Sequence, residues 1–198
     1  MGVRLIGVPF NSSGTADGVA RAPAALRRAG LAARLGAVDG GDLAVDGLVP
    51  ERSARSGLLA ERALVAMVAR TRAAVGEAYQ AGEFPLLLGG DCPVLLGGLA
   101  AARDRHGGVG LLMVDGHEDG YPPHRSPTGE AADCELYLAL GLPSAGLPEE
   151  LAALLPLLGP GQVRLLGPRD QEVIAAEGVA SLRGTGPRYS DVEGVARG

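Results

Sequence analysis

The 198-residue chain contains no tryptophan, and its aromatic residues amount to only 3%. Stacking of nucleic-acid bases on aromatic platforms is therefore excluded as a main mode of action. Arginine is used at the expense of lysine, and acidic residues outnumber basic ones, 23 against 18. The formal charge of −5 and pI near 5.2 give no general attraction for nucleic acid or an anionic membrane. No apolar run approaches the roughly 18 residues needed to span a bilayer. Near the N-terminus, glycine, arginine and proline interrupt any charged-then-apolar signal profile. Two cysteines, Cys92 and Cys134, make no disulfide framework, so a reducing, cytoplasmic setting is expected.

What is present is a globular composition, 46% hydrophobic, and a length suited to one domain with a substantial core. Val3 to Pro9 reads as a first strand, followed by a glycine-rich loop and a helix over Arg21 to Gly30. Leu35 to Val38 reads as a short strand. A long helix is predicted from about Leu58 to Ala81, because Leu64, Met67, Val68, Val75 and Tyr79 share one face. Strands are predicted over 85–88, 109–114 and 162–166, and further helices over Pro93 to Arg105, Glu135 to Leu140 and Pro148 to Leu158. Alternating strands and helices imply a three-layer α/β/α domain with a mainly parallel sheet over residues 1–198.

The strand ends are polar or glycine-rich. Val109 to Val114 runs into Asp115-Gly-His-Glu-Asp119, and Phe84 to Leu88 runs into Gly89-Gly-Asp91-Cys92. If the strand continues extended, residues 115, 117 and 119 lie on one face and converge in the crevice at the carboxyl edge of the sheet. Two carboxylates and a neutral imidazole suit a divalent cation such as manganese, zinc or iron. The plainer alternative is a polar turn in which these acids cap the next helix.

The order of motifs resembles the ureohydrolase (arginase/agmatinase) family. The matching pieces are Gly7-Val-Pro-Phe10, Ala22-Pro-Ala-Ala-Leu26, Gly89-Gly-Asp-Cys92, Asp115-Gly-His-Glu-Asp119, Ser126-Pro-Thr-Gly129 and Gly167-Pro-Arg-Asp170. The resemblance implies an arginase/deacetylase-like fold and hydrolysis of a guanidino or amidino C–N bond, with water activated by two manganese ions. It implies Asp115, His117 and Asp119 as metal ligands, Asp119 also in catalysis, and a small-molecule guanidino or amidino substrate.

Four departures qualify it. Cys92 stands where the family has a ligating histidine; a thiolate there favours zinc or iron over manganese. Ala132 takes the place of the catalytic histidine, and His124 is the nearest stand-in. The substrate segment reads Thr128-Gly-Glu130, whose carboxylate would repel an amino-acid carboxylate and so disfavours arginine itself. The family's second Asp pair is not found, and Asp191-Val-Glu193 has the spacing without an apolar strand before it. The sequence thus reads as an N-terminal portion of an arginase-family hydrolase, partnered by its own C-terminal portion or a second copy. The alternative is a catalytically impaired binding or structural protein.

Overall fold

The computed structural model describes residues 1–190; Asp191 and Glu193 lie outside the described residues. The first strand, β1 (Val3–Val8), leads through a 3-10 turn into α1 (Ala22–Arg28) and α2 (Leu31–Leu35). After β2 (Val38–Asp42) comes the long helix α3 (Glu61–Gln80), then β3 (Phe84–Gly89), α4 (Val94–His106) and β4 (Leu111–Val114). Short helices α5 (Glu135–Ala139) and α6 (Glu149–Ala152) precede β5 (Val163–Leu166), α7 (Gln171–Ala176) and β6 (Arg188–Ser190). No described helix is long and apolar enough to cross a membrane.

Among the described residues every pairing between these strands is parallel, but they form two three-stranded sheets, β2-β1-β3 and β4-β5-β6, rather than one. In the first sheet β1 and β3 run in register from Val3–Phe84 to Val8–Gly89. In the second, β4 and β5 pair from Leu111–Val163 to Val114–Leu166.

The α3 stripe packs as its periodicity predicts: Leu64, Met67, Val68 and Val75 are buried in the common core, with Tyr79 packed against it. α4 lies close against α3 because Gly97 has no side chain; a Cβ there would come within 2.6 Å of Thr71 Cβ and 2.8 Å of the Val68 carbonyl. Other elements depart from expectation for identifiable reasons. α3 starts at Glu61 because Ala60 takes a left-handed φ of 50°, which ends the preceding loop. The segment read as a strand at Leu35 is the last turn of α2, closed by Gly36 at φ 57°, and β2 begins only at Val38. The helix expected to Leu158 stops at Ala152, and the amides of Leu157 and Leu158 turn to the Ala139 carbonyl, 2.8 and 3.0 Å away. α7 and β6 had no clear local signal.

Candidate metal centre

The site forms where β3 and β4 end. Gly89 and Gly90 carry the chain out of β3 with the backbone of Gly90 pressed on Phe10; a Cβ on Gly90 would sit 1.7 Å from the Phe10 carbonyl oxygen. This close approach, open only to glycine, fixes Asp91 and Cys92. The Ser12 amide donates to Asp91 Oδ2 at 2.6 Å, while Asp91 Oδ1 is buried without a partner. Burial raises the Asp91 pKa above the usual carboxylate value, although the bonds from Ser12 oppose the shift.

On the other side β4 stops at Val114, and residues 115–119 form a turn instead of an extended strand. The turn is pinned at several points. The Asp115 amide donates to the Leu166 carbonyl at 3.1 Å and the Arg169 amide to the Gly116 carbonyl at 2.9 Å. The Glu118 amide donates to Asp170 Oδ2 at 2.9 Å, and the buried Glu118 carboxylate accepts from Ser181 Oγ and from the Leu182 amide at 2.7 Å. Asp119 adopts a left-handed φ of 48°, an uncommon conformation for a residue with a side chain. Its carbonyl accepts from the Leu136 and Tyr137 amides at 3.2 and 3.3 Å, which seats the start of α5 against it.

The result brings Cys92 Sγ and one carboxylate oxygen each of Asp115 and Asp119 within 4.8 Å of one another. His117 is not in this group. The period-two argument that placed it there requires an extended chain, and the turn removes that condition. The His117 side chain is 71% exposed, its amide donates to Asp115 Oδ1 at 2.9 Å, and its Nδ1 lies 3.2 Å from the same oxygen.

Burial pushes the Cys92 thiol up to about 12, helped by the negative fields of Asp119, Asp115 and Asp91. Burial likewise pushes Asp119 up to about 6; a hydrogen bond with Glu135 and the nearby His117 oppose the rise, and Asp115 and Asp170 add to it. No amide, hydroxyl or cationic donor reaches the buried Asp119 Oδ2. Buried anionic oxygens left unpaired are costly, and a divalent cation is a natural counter-charge. One thiol and two carboxylates suit zinc, iron(II) or cobalt(II) better than manganese.

The other sequence candidates lie on the segment after Asp119. His124 is exposed on a 3-10 turn, Pro123–Arg125. Thr128 is exposed; its hydroxyl donates to Asp133 Oδ2 at 2.7 Å and accepts from the Glu130 amide at 2.8 Å, so it shapes the turn. Glu130 is half-buried, and burial with the fields of Asp133 and Asp91 raises its pKa. Ala132 sits on the next 3-10 turn, Ala131–Asp133. Cys134 is buried in the apolar core, as its isolation in the sequence suggested. A separate cavity beside the start of α3, lined by Asp46, Glu51, Arg52 and Glu61, includes none of the clustered residues.

Sequence reasoning passed over Glu135. It is the first residue of α5, fully buried, and its carboxyl faces and pairs with that of Asp119, with no other donor reaching it. Its burial first, and then the neighbouring Asp119, raise its pKa well above the ordinary value. The available signal was one acid inside the run Cys134-Glu-Leu-Tyr-Leu-Ala-Leu140.

Comparison with known proteins agrees with this architecture. The arginase family model matches residues 1–171. The arginase of Bacillus caldovelox is 31% identical over 175 residues, covering 84% of this chain and 58% of that enzyme. Its crystal structure at pH 5.6 superimposes with a TM-score of 0.79 at 27% identity, over 99% of this chain and 66% of that one. The agmatine ureohydrolase of Thermoplasma volcanium shares the fold at 18% identity, with a TM-score of 0.64 over 98% of this chain and 58% of that one. The chain thus spans less than two thirds of the curated arginase it matches. With its parallel α/β sheets and a family match running from the first strand past Asp170, the chain belongs to the arginase family.

Proposed function

We propose that this chain carries the metal-binding part of a hydrolase that cleaves a guanidino or amidino C–N bond. The observation that carries the reading is the convergence of Cys92, Asp115 and Asp119 within 4.8 Å at the carboxyl ends of β3 and β4. Cys92, Asp115 and Asp119 would hold a zinc, iron(II) or cobalt(II) ion; the thiol makes manganese a poorer match than in a site of imidazole and carboxylate alone. Such an ion, when bound, supplies Lewis acidity and brings the pKa of water toward neutral. The net reaction adds water across the C–N bond: the guanidino carbon gains oxygen, the departing nitrogen gains a proton, and urea and an amine result.

The remaining residues bear on substrate choice. Glu130 is half-buried, within the field of Asp91, and its negative charge disfavours a substrate carboxylate nearby. A guanidino amine therefore fits better than arginine.

A second reading, a non-hydrolytic binding protein, has one observation in its favour. None of the three histidines is among the converging ligand groups: His106 packs edge-on against Tyr79, His124 is exposed, and the exposed His117 meets the cluster only at Asp115 Oδ1, 3.2 Å from its Nδ1. No imidazole therefore takes the place of the missing histidine at Cys92 or at Ala132.

One experiment separates the two. The purified protein is loaded with zinc, iron(II), cobalt(II) or manganese and assayed for urea release from guanidino amines and arginine, alongside Cys92→Ser and Asp119→Asn. Turnover with a thiophilic ion, lost in both variants, supports the hydrolase. Stoichiometric ion binding without turnover supports the binding protein, and absence of ion binding overturns both.

A further inference from the structure

Glu118 is the one acid of the turn Asp115-Gly-His-Glu-Asp119 that stays outside the converging group, and it is 0% exposed. Its carboxylate is held by residues far along the chain. Oε1 accepts from Ser181 Oγ, and Oε2 accepts from the Leu182 amide at 2.7 Å. The buried hydroxyl of Tyr189, on β6, faces the same carboxylate. Leu182 fits against the turn because Gly120 has no side chain; a Cβ there would lie 2.9 Å from Leu182 Cδ1. Further bonds fasten the same stretch. The Tyr121 hydroxyl donates to Glu177 Oε2 at 2.6 Å, and Arg125 Nη2 donates to the Glu177 and Gly178 carbonyls at 3.2 Å each. All these partners follow residue 171, where the match to the family model ends.

Enclosing a carboxylate is costly unless hydrogen bonds satisfy it, and here they do. The consequence falls on the next residue. Asp119 holds a left-handed φ of 48°, and such a conformation persists only where the surroundings over-determine it. Two clamps do so. Before Asp119, Glu118 is fixed by its amide on Asp170 and by its carboxylate on Ser181 and Leu182. After it, the Asp119 carbonyl holds the amides of Leu136 and Tyr137. Releasing the first clamp lets residue 119 relax toward an ordinary backbone conformation, which re-aims its carboxylate relative to Cys92 and Asp115.

Resting on the metal-binding reading above, we propose that Glu118 is a positioning residue of the metal centre. Its carboxylate latches residues 181 and 182 onto the turn, and the latch holds Asp119 in the backbone conformation that aims it at the ion. The stretch 177–182 is then part of the site's construction, although none of its residues is in the converging group.

The test uses cobalt(II) on the reduced, metal-free protein under anaerobic conditions. Thiolate-to-cobalt charge-transfer absorption reports Cys92, and competition with a chelator gives the affinity. Wild type should show the band, and Cys92→Ser should abolish it. Glu118→Ala should keep the band at saturating cobalt yet weaken affinity by about tenfold to a hundredfold, the range that lost supporting contacts reach at metal sites. Glu118→Gln, which keeps one acceptor oxygen, should lose less than Glu118→Ala. Substitution at Glu118 also removes a negative charge near the ion, so Ser181→Ala carries the decision. It is charge-neutral and removes a single hydroxyl, and it should weaken affinity by about threefold to tenfold. Because both residues belong to one latch, the double variant should lose no more than Glu118→Ala alone. Equal losses in Glu118→Gln and Glu118→Ala with wild-type affinity in Ser181→Ala make the effect one of charge and overturn the latch. Additive losses in the double variant, or a lower melting temperature of the metal-free variants with affinity unchanged, overturn it as well. Each of these results leaves the metal site standing, whereas absence of any band in wild type removes the metal-binding reading itself and the latch with it.

Discussion

The middle strands of the two sheets, β1 and β5, are both aliphatic and both parallel to their neighbours, yet they are buried differently. In β1 the successive residues Leu5 and Ile6 are 0% and 3% exposed, so both faces of the first sheet are covered at its middle strand, although its edge strand β2 is exposed throughout. In β5 Val163 and Leu165 are buried while Arg164 between them is exposed, so only one face of the second sheet is packed. Beside it, β4 leaves Leu112 62% and Val114 75% exposed. Parallel strands are normally covered on both faces and written as continuous apolar runs, which describes Leu111-Leu-Met-Val114 well. The difference shows that β4 has the composition of a strand covered on both faces, with a cover on one face among the described residues. Apolar surface of this kind marks an interface or a risk of aggregation.

The largest effect should come from weakening the well-covered side. Leu64→Ala empties a fully buried position on α3, and denaturant titration should show a loss of about 2–5 kcal/mol. A loss below about 1 kcal/mol would mean that the first sheet is no better packed than the second.

Gly90→Ala should rank next, because its new Cβ meets the Phe10 carbonyl and the loop bearing Asp91 and Cys92 must move. A cost of about 1–3 kcal/mol is expected, together with a weaker cobalt–thiolate band. A normal band in this variant would show that the end of the first sheet is not what positions Cys92.

The smallest effect belongs to the open face. Leu112→Thr combined with Val114→Thr keeps strand-compatible side chains, and stability should change by no more than about 0.5 kcal/mol. Light scattering should meanwhile show reduced self-association. A cost above about 2 kcal/mol would mean the face is packed after all, and the contrast between the sheets would fail.

The parts of this molecule that were legible in its sequence are those fixed by local periodicity. The α3 stripe from Leu64 to Val75, the parallel strands and the polar strand ends could all be read directly. Cys92 drew attention because it follows Gly89-Gly-Asp91, and Asp115 and Asp119 because they follow an apolar strand. The reason first given for grouping them, an extended chain through residue 119, did not survive, since β4 ends at Val114 and Asp119 is held left-handed by tertiary contacts. Those contacts reach Leu166, Asp170 and Leu182, and no local pattern announces them. Glu135 escaped notice because an acid at the start of a helix is ordinary, and only the packing of α5 makes it a buried one. The division into two sheets was likewise invisible, because strand pairing is a property of distant segments.

Cys92 belongs to the end of the first sheet and Asp115 and Asp119 to the end of the second, with α4 between them in the chain. In a disordered chain, bringing these ends together would carry the entropy of closing that loop; here the docking of the two sheets has already done so. The carboxylates are thereby presented to Cys92 at an effective concentration that the scaffold sets. An ion spanning them would bind as a crosslink, and by linkage its affinity would measure how firmly the sheets are docked. A substitution that loosens the docking, far from any ligand, would then register first as a faster release of the ion.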